Sequence, residues 1–208
     1  MVVKKGKEHF IYNWLDTGKM SQIYPMAKPK KDYLLKSAYI DTPLGSMLAI
    51  SDEEALYLLE FADRHSLERQ VDMLKTKTKA IITAGQSEPI KLIKSELQRY
   101  FDGSLKEFTT PLQLLGSTFQ EIVWEELMCI PYGQTRSYSD QAKAIGKQKA
   151  YRAVANANGA NKLAIIIPCH RIINSNGDLG GYGGGVNRKK WLIDFEKQKS
   201  LHCSMTLC

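Results

Sequence analysis

From Tyr39 the chain alternates apolar and polar positions in short bursts separated by turn residues. Tyr39–Asp41, the turn Thr42-Pro43-Leu44-Gly45 and Ser46–Ser51 read as a hairpin. A second turn at Asp52–Glu54 leads into Ala55–Phe61, which makes an antiparallel meander. The period then lengthens. His65–Lys75 places Leu67, Val71 and Leu74 on one helical stripe, and Lys79–Thr83 reads as another short strand. Glu88–Phe101 is a stronger helix: Pro89 suits its first turn, Ile90, Ile93, Leu97 and Tyr100 share a face, and Gly103 follows its end. Strands with two helices predict a small α/β domain with an antiparallel sheet over residues 35–109.

The second half has a helical texture. Ser117 with Gln120 three residues on predicts a capping box. In the helix that follows, Phe119, Ile122, Val123, Glu126 and Leu127 fall on one face, and Cys129 near its end reads as a buried small apolar residue. Pro131-Tyr132-Gly133 breaks this helix. Ser139–Ile145, closed by Gly146, and Gln148–Asn158, closed by Gly159, are two short helices joined by a tight turn, a helix-turn-helix pattern. The apolar run Leu163–Ile167 reads as a strand ending at Pro168, and Asn187 as the cap of a last helix with Trp191, Leu192 and Phe195 on its apolar face. The expected chain is α+β: a basic extension over 1–34, the α/β domain, a mainly helical domain over 110–200, and a tail at 201–208.

Composition narrows the function classes. Among 208 residues, 43% are hydrophobic and 25% charged, which supports a real core and argues against wholesale disorder. No apolar run approaches membrane-spanning length, and the start MVVKKGKEHF lacks a signal-peptide core, so a soluble intracellular protein is expected. The four cysteines, Cys129, Cys169, Cys203 and Cys208, form no C-x-x-C pair. The net charge of +7 is unevenly placed. Residues 1–36 hold eight lysines against Glu8, Asp16 and Asp32, and residues 133–171 hold seven basic residues against Asp140 alone. A local positive surface on a nearly balanced body suits a polyanion.

Two motifs inside that basic stretch carry chemistry. Ala150, Ala153, Ala155 and Ala157 make the second short helix thin, and Arg152 projects from it, which suits close approach to a DNA groove as well as to a packed neighbour. Pro168-Cys169-His170-Arg171 follows the apolar run and precedes the glycine-rich stretch 177–185. A cysteine nucleophile needs a base or a cation nearby. Immediate neighbours in an extended chain point to opposite faces, so either the backbone turns at Cys169 or a water relays the proton to His170. The glycine stretch lacks Walker spacing and opens no dinucleotide-binding unit; it reads as a loop whose backbone N–H groups can approach a planar ligand.

Taken together, Phe119–Trp124, Gly133–Tyr138, Arg152-Ala153-Val154, Asn161, Ile165–Arg171, Gly181-Tyr182 and Lys190–Glu196 resemble the O6-alkylguanine-DNA alkyltransferases, the methylated-DNA–protein-cysteine methyltransferases. The resemblance runs loosely from Tyr39 and tightly from Phe119 to Lys197. It implies that Cys169 accepts the alkyl group once and irreversibly, that His170 activates it through a water, and that Glu196 orients His170. It further implies that Tyr138 donates to the guanine ring and helps rotate the nucleotide out, and that Arg152 fills the vacated place. Asn161 would brace the active-site loop. Arg136, Tyr138, Ala153 and Ala157 would join Arg152 at the DNA, while Tyr182, Gly183 and Ile172 would hold the guanine. The position of Gly183 often carries a serine in that family, so a hydroxyl contact is lost here. Some relatives carry zinc near the N-terminus; with no cysteine before Cys129 and only His9 and His65 there, no metal is expected, and no cofactor. The implied partner is double-stranded DNA carrying O6-alkylguanine, entered from the minor groove by a monomer in the cytoplasm of a bacterium or the nucleus of a eukaryote. Two rivals are a cysteine hydrolase using Cys169, His170 and Glu196, which would turn over repeatedly, and a DNA-binding regulator in which Cys169 senses damage or redox state.

Overall fold

A computed structural model describes residues 34–205, with side chains as far as Leu201. The lysine-rich start up to residue 33, His9 within it, the Cys203 side chain and Cys208 lie outside the described residues. β1 (Leu34–Thr42), β2 (Gly45–Ser51) and β3 (Leu56–Phe61) form the expected meander, β1 with β2 and β2 with β3 antiparallel. α1 (Leu67–Thr78) then carries the chain back along the sheet, so β4 (Ile81–Ala84) enters in the direction of β1 and pairs with it in parallel. The sheet order is β3-β2-β1-β4, and the sheet is antiparallel only over its first three strands. β1 begins five residues before Tyr39 because Leu34–Ser37 are paired with β4, a partner that the alternation inside β1 does not reveal.

α2 (Glu88–Asp102) starts where Ser87 Oγ accepts from the Ile90 N–H at 3.3 Å and ends at Gly103, whose φ of +89° suits a residue without a Cβ. Its buried stripe of Ile90, Ile93, Leu97 and Tyr100 is the expected one. Glu96 on the same helix is also buried, and both Thr109 and Thr110 donate a backbone N–H and a hydroxyl to it at 2.6–3.2 Å. That carboxylate fastens the connecting segment to the helix.

α3 (Thr118–Met128) has the expected capping box from Ser117 and Gln120. Its buried face is turned from the expected one. Val123, Trp124, Glu126 and Leu127 are inside, while Ile122 is 39% exposed. The indole decides this: Trp124 Nε1 donates to Ala157 O at 2.8 Å, drawing the largest apolar side chain inward. Cys129 is exposed at the end of this helix, against expectation, because the turn at Cys129 faces outward while Ile130 takes the inner place. After β5 (Arg136–Ser137) come α4 (Tyr138–Ala144), a single 3-10 turn at Gln148–Ala150 and α5 (Tyr151–Gly159). α4 and α5 are pinned by a reciprocal buried amide pair, Asn158 Nδ2 to Gln141 Oε1 at 2.7 Å and Gln141 Nε2 to Asn158 Oδ1 at 3.2 Å.

The apolar run Leu163–Ile167 is not a strand. Only Leu163 bridges to β3, and the chain then curls through Ile165, whose φ is +72°, into a 3-10 turn at Cys169–Arg171. β6 (Ile172–Ile173) follows, parallel to β5. Along β3, Leu59 donates its N–H to Lys162 O (2.9 Å) and its carbonyl accepts from Ala164 N (2.8 Å), while Leu56 bonds in the same way to Pro111 and Gln113. The free edge of the sheet is thereby occupied by segments from farther along the chain. α6 (Val186–Met205) starts at Val186, so Asn187 lies within its first turn rather than capping it. Its buried face is Lys189, Leu192, Ile193 and Glu196; Trp191 is 38% exposed and stacks on Phe195 beside Phe101 of α2. No helix among the described residues is long and apolar enough to cross a membrane.

Candidate active site

Cys169 is placed by Asn161. The Asn161 amide is buried, and its Nδ2 donates to Ile167 O at 2.9 Å and reaches Cys169 Sγ at 3.3 Å, while its Oδ1 accepts from Leu163 N at 2.9 Å. One side chain therefore closes the loop 161–169 and touches the thiol. The left-handed backbone at Ile165 is a strained conformation for a β-branched residue, held by this closure and by the bridge to β3. Cys169 remains partly exposed, and its own N–H is donated to Ile167 O at 2.8 Å.

The backbone does turn at Cys169, and the 3-10 turn sends His170 into the interior, where it is fully buried. His170 Nε2 meets Glu196 Oε1 at 2.9 Å. Glu196 is the most heavily bonded carboxylate of the site: Oε1 also accepts from Tyr100 OH (2.7 Å) and Arg171 Nη2 (3.0 Å), and Oε2 from Arg171 Nε (2.9 Å) and Gly133 N (3.1 Å). Burial alone would push this carboxyl up. His170 and Arg171 together outweigh burial and hold it well below the usual carboxylate range. The Arg171 guanidinium already neutralises Glu196, and burial pushes His170 below its ordinary value of 6.5. A neutral imidazole with its Nε2–H donated to Glu196 leaves Nδ1 as a bare acceptor. Nδ1 is buried and has no hydrogen-bond partner among the described residues. Burial likewise raises the Cys169 thiol, against which the Asn161 contact works. The resting pair is a thiol and a neutral base.

Around the thiol stand Tyr138, Tyr182 and Lys189. Burial raises the Tyr138 phenol, with the Cys169 charge adding to it, and raises Tyr182 well above its ordinary value, so both stay protonated donors. The Tyr182 hydroxyl is buried with no hydrogen-bond partner among the described residues, and its ring meets His170 edge-on at 6.4 Å. Lys189 is fully buried, with no carboxylate in contact among the described residues; Nζ donates to Gly181 O at 3.1 Å, and burial lowers its pKa to about 8. Sequence reasoning passed over Lys189, Arg171 and Tyr100. The signal for Lys189 was present, since 189, 192, 193 and 196 form one helical stripe with Glu196. Tyr100 comes from α2, 96 residues away, and nothing local announces it.

On the outer side, a groove of about 570 Å³ lies between Tyr138 of α4, Tyr151, Arg152 and Ala155 of α5, and Gly181 of the glycine loop. Arg152 is exposed there, and Ala153 is exposed next to it on α5. Ala157 is buried, its carbonyl taken by Trp124, so of the residues expected at DNA it alone is removed from the surface and supports the helix from behind. Arg136 is paired with the buried Glu126. Ile172 is buried, leaving only its backbone to face a ligand, while Gly183 is exposed.

A partly open cysteine backed by a buried His–Glu pair, beside a basic helical face and mounted on a small sheet, marks a reactive-cysteine protein. Residues 35–114 match the ribonuclease-like domain of 6-O-methylguanine DNA methyltransferase, and residues 118–198 match its DNA-binding domain. The chain is 40% identical over 168 residues to the methylated-DNA–protein-cysteine methyltransferase of Mycobacterium leprae, spanning 81% of this chain and 95% of that protein. It is 49% identical over 130 residues to the probable methylated-DNA–protein-cysteine methyltransferase of Acanthamoeba polyphaga mimivirus, spanning 60% of this chain and 87% of that one. The crystal structure of Mycobacterium tuberculosis OGT in complex with DNA superposes with a TM-score of 0.67 at 38% identity, covering 80% of this chain and 94% of that one. The chain belongs to the methylated-DNA–protein-cysteine methyltransferase family.

Proposed function

We propose that the chain repairs DNA by moving the alkyl group from O6 of guanine to Cys169, once per molecule. The observation that carries this reading is the unpartnered, buried His170 Nδ1 behind a cysteine held by Asn161. The thiol proton passes through a water to Nδ1, and the imidazolium that forms is held by Glu196. The Cys169 sulfur attacks the alkyl carbon in line; the S–C bond forms as the C–O6 bond breaks, and the electron pair leaves with the guanine. A proton from the Tyr138 hydroxyl quenches charge on the ring, and the proton on His170 makes good that loss, so thiol and O6-alkylguanine become thioether and guanine.

The base must leave the duplex to reach Cys169. α4 and α5 form a helix-turn-helix whose thin second helix enters the minor groove, with Arg152 taking the place of the extruded nucleotide and Tyr138 turning it outward. Arg136 and Ala153 lie along the same face. Gly183 N–H, Tyr182 and the backbone of Ile172 hold the guanine edge. At Cys169 the N–H is already donated to Ile167 O and the carbonyl accepts from the Ile172 N–H, so a guanine contact there uses the second lone pair of that carbonyl. The acting form in this reading is the monomer. The two matched regions, which meet between residues 114 and 118, support a sheet-bearing domain followed by a helical one, near the division expected at 109/110.

Intact-mass measurement after mixing with duplex containing O6-methylguanine tests this. One methyl per molecule on Cys169, with O6-methylguanine in the duplex restored to guanine up to one equivalent and no further, is expected. Continued restoration beyond one equivalent would favour a hydrolase and overturn the reading.

A further inference from the structure

Arg64, in the turn after β3, is the point where the sheet-bearing half grips the site. Its Nε donates to Ser66 Oγ at 3.0 Å, and its Nη1 pairs with the fully buried Glu60. Nη1 also reaches Asn161 O at 3.3 Å, and Nη2 donates to Gly159 O at 2.9 Å. One guanidinium thus ties the last residue of α5 to Asn161, the residue that holds the Cys169 sulfur. The Glu60 and Arg64 charges both act on the Cys169 and Tyr182 protons, so the pair lies close beneath the acceptor.

The same guanidinium passes directly under the glycine loop. A Cβ placed on Gly183 would fall 2.5 Å from Arg64 Cζ and 2.7 Å from both terminal nitrogens. Carbon atoms in contact need about 3.5–4.0 Å, so no side chain fits at 183 while Arg64 keeps its place. Gly183 is not among the residues with positive φ, so the glycine is there for room and not for backbone conformation. Arg64 cannot step aside cheaply either, because moving it would strip Glu60 of its counter-charge in the interior.

We propose that Arg64 is a positioning residue for alkyl transfer, and that its guanidinium, wedged under Gly183, sets the height at which the loop presents its backbone N–H to the guanine. This rests on the transfer reading given above. It also restricts position 183 to glycine in this chain, so the site reads the O6 edge at that point with a main-chain donor and no hydroxyl.

A mutational cycle with O6-benzylguanine as a free base, which needs no DNA handling, tests the idea. Gly183→Ala should displace the loop by roughly an ångström and slow the limiting rate of transfer by about a hundredfold, a cost typical of such misplacement. Arg64→Ala combined with Glu60→Gln removes the pair without leaving a buried charge, and in that background Gly183→Ala should cost little. If the paired removal does not fold, Arg64→Lys keeps a cation for Glu60 while vacating the plane under the loop. Gly183→Ala should then be tolerated in the lysine background. An equal loss from Gly183→Ala in every background would show that the methyl blocks the substrate itself. No loss in any background would show that Arg64 moves freely, and either result overturns the proposal. Melting temperatures read alongside the rates would expose a merely structural role, since that would shift stability without coupling between positions 64 and 183. Failure of the wild type to gain mass on Cys169 would instead sink the transfer reading and leave the coupling measurement to be made on loop structure alone.

Discussion

Each half of the molecule buries a glutamate that gathers many hydrogen bonds, and the two could hardly be employed more differently. Glu96 in α2 takes four neutral donors from Thr109 and Thr110, all within fifteen residues of itself. Glu196 in α6 takes donors from α2, from the turn at Gly133 and from the Cys169–Arg171 turn, including a histidine and a guanidinium. The first carboxylate fixes a loop. The second holds a histidine and a guanidinium in the interior behind Cys169. Hydrogen-bond count alone does not distinguish them; the titratable character of the partners does.

The contrast can be broken most directly by neutralising each in turn. Glu196→Gln should slow transfer to Cys169 by about 10²–10⁴-fold, the range for loss of general-base support. It should also cost about 3–5 kcal/mol of stability, because Arg171 is left buried and unpaired. Glu96→Gln places an amide donor against donors, costs about 1–3 kcal/mol, and should leave the transfer rate of the folded protein unchanged. Chemical denaturation with single-turnover kinetics on both variants checks this; a rate loss in Glu96→Gln would erase the distinction.

Arg152→Ala sharpens the same comparison from the outer side of the site. Filling a gap in the base stack matters only when the guanine begins inside a duplex, and the gap is worth a few kcal/mol. At saturating DNA the variant should lose about tenfold or more in rate on duplex O6-methylguanine, while a free alkylated base should react as before. Equal slowing on both would make Arg152 a structural residue.

The smallest effect expected is on pH. Burial holds His170 below 6.5, so beneath that value the unfolded chain takes up a proton that the folded one refuses. Stability therefore rises with pH through this window, and falls as pH drops below 6.5 toward the folded value. Glu196, held low, contributes stability that is complete above its ordinary value of 4.5 and is lost as pH falls through its depressed folded value. Melting temperature should decline on the acid side of pH 7, with Glu196→Gln removing the lower part of the decline, and should rise further as Lys189 sheds its proton near pH 8. A maximum near pH 5 would contradict both assignments.

Cys169, His170, Asn161 and Glu196 were legible in the sequence because their motif is short and their order along the chain carries the resemblance. The caps at Ser87 and Ser117 and the turn glycine at 103 were legible because their causes lie within four residues. What escaped was set at long range. Trp124 chose the inner face of α3 by bonding to Ala157, 33 residues on, and Leu163–Ile167 lost its strand form to the Asn161 closure. Arg64 has local partners in Glu60 and Ser66, but its link to the site escaped because Gly159 and Asn161 are more than ninety residues away.

The bonds from Leu59 to Lys162 and Ala164 also have a colloidal consequence. A strand at the border of a sheet offers its unpaired amides as a template for other chains, and β3 would be such a strand, six residues long and buried throughout. The segment that carries Cys169 seals its Leu59 end, and residues 111–113 seal the other. An opening of residues 161–169 would therefore displace Cys169 and uncover the Leu59 end of that border in the same event, so that loss of repair capacity and onset of aggregation should appear together.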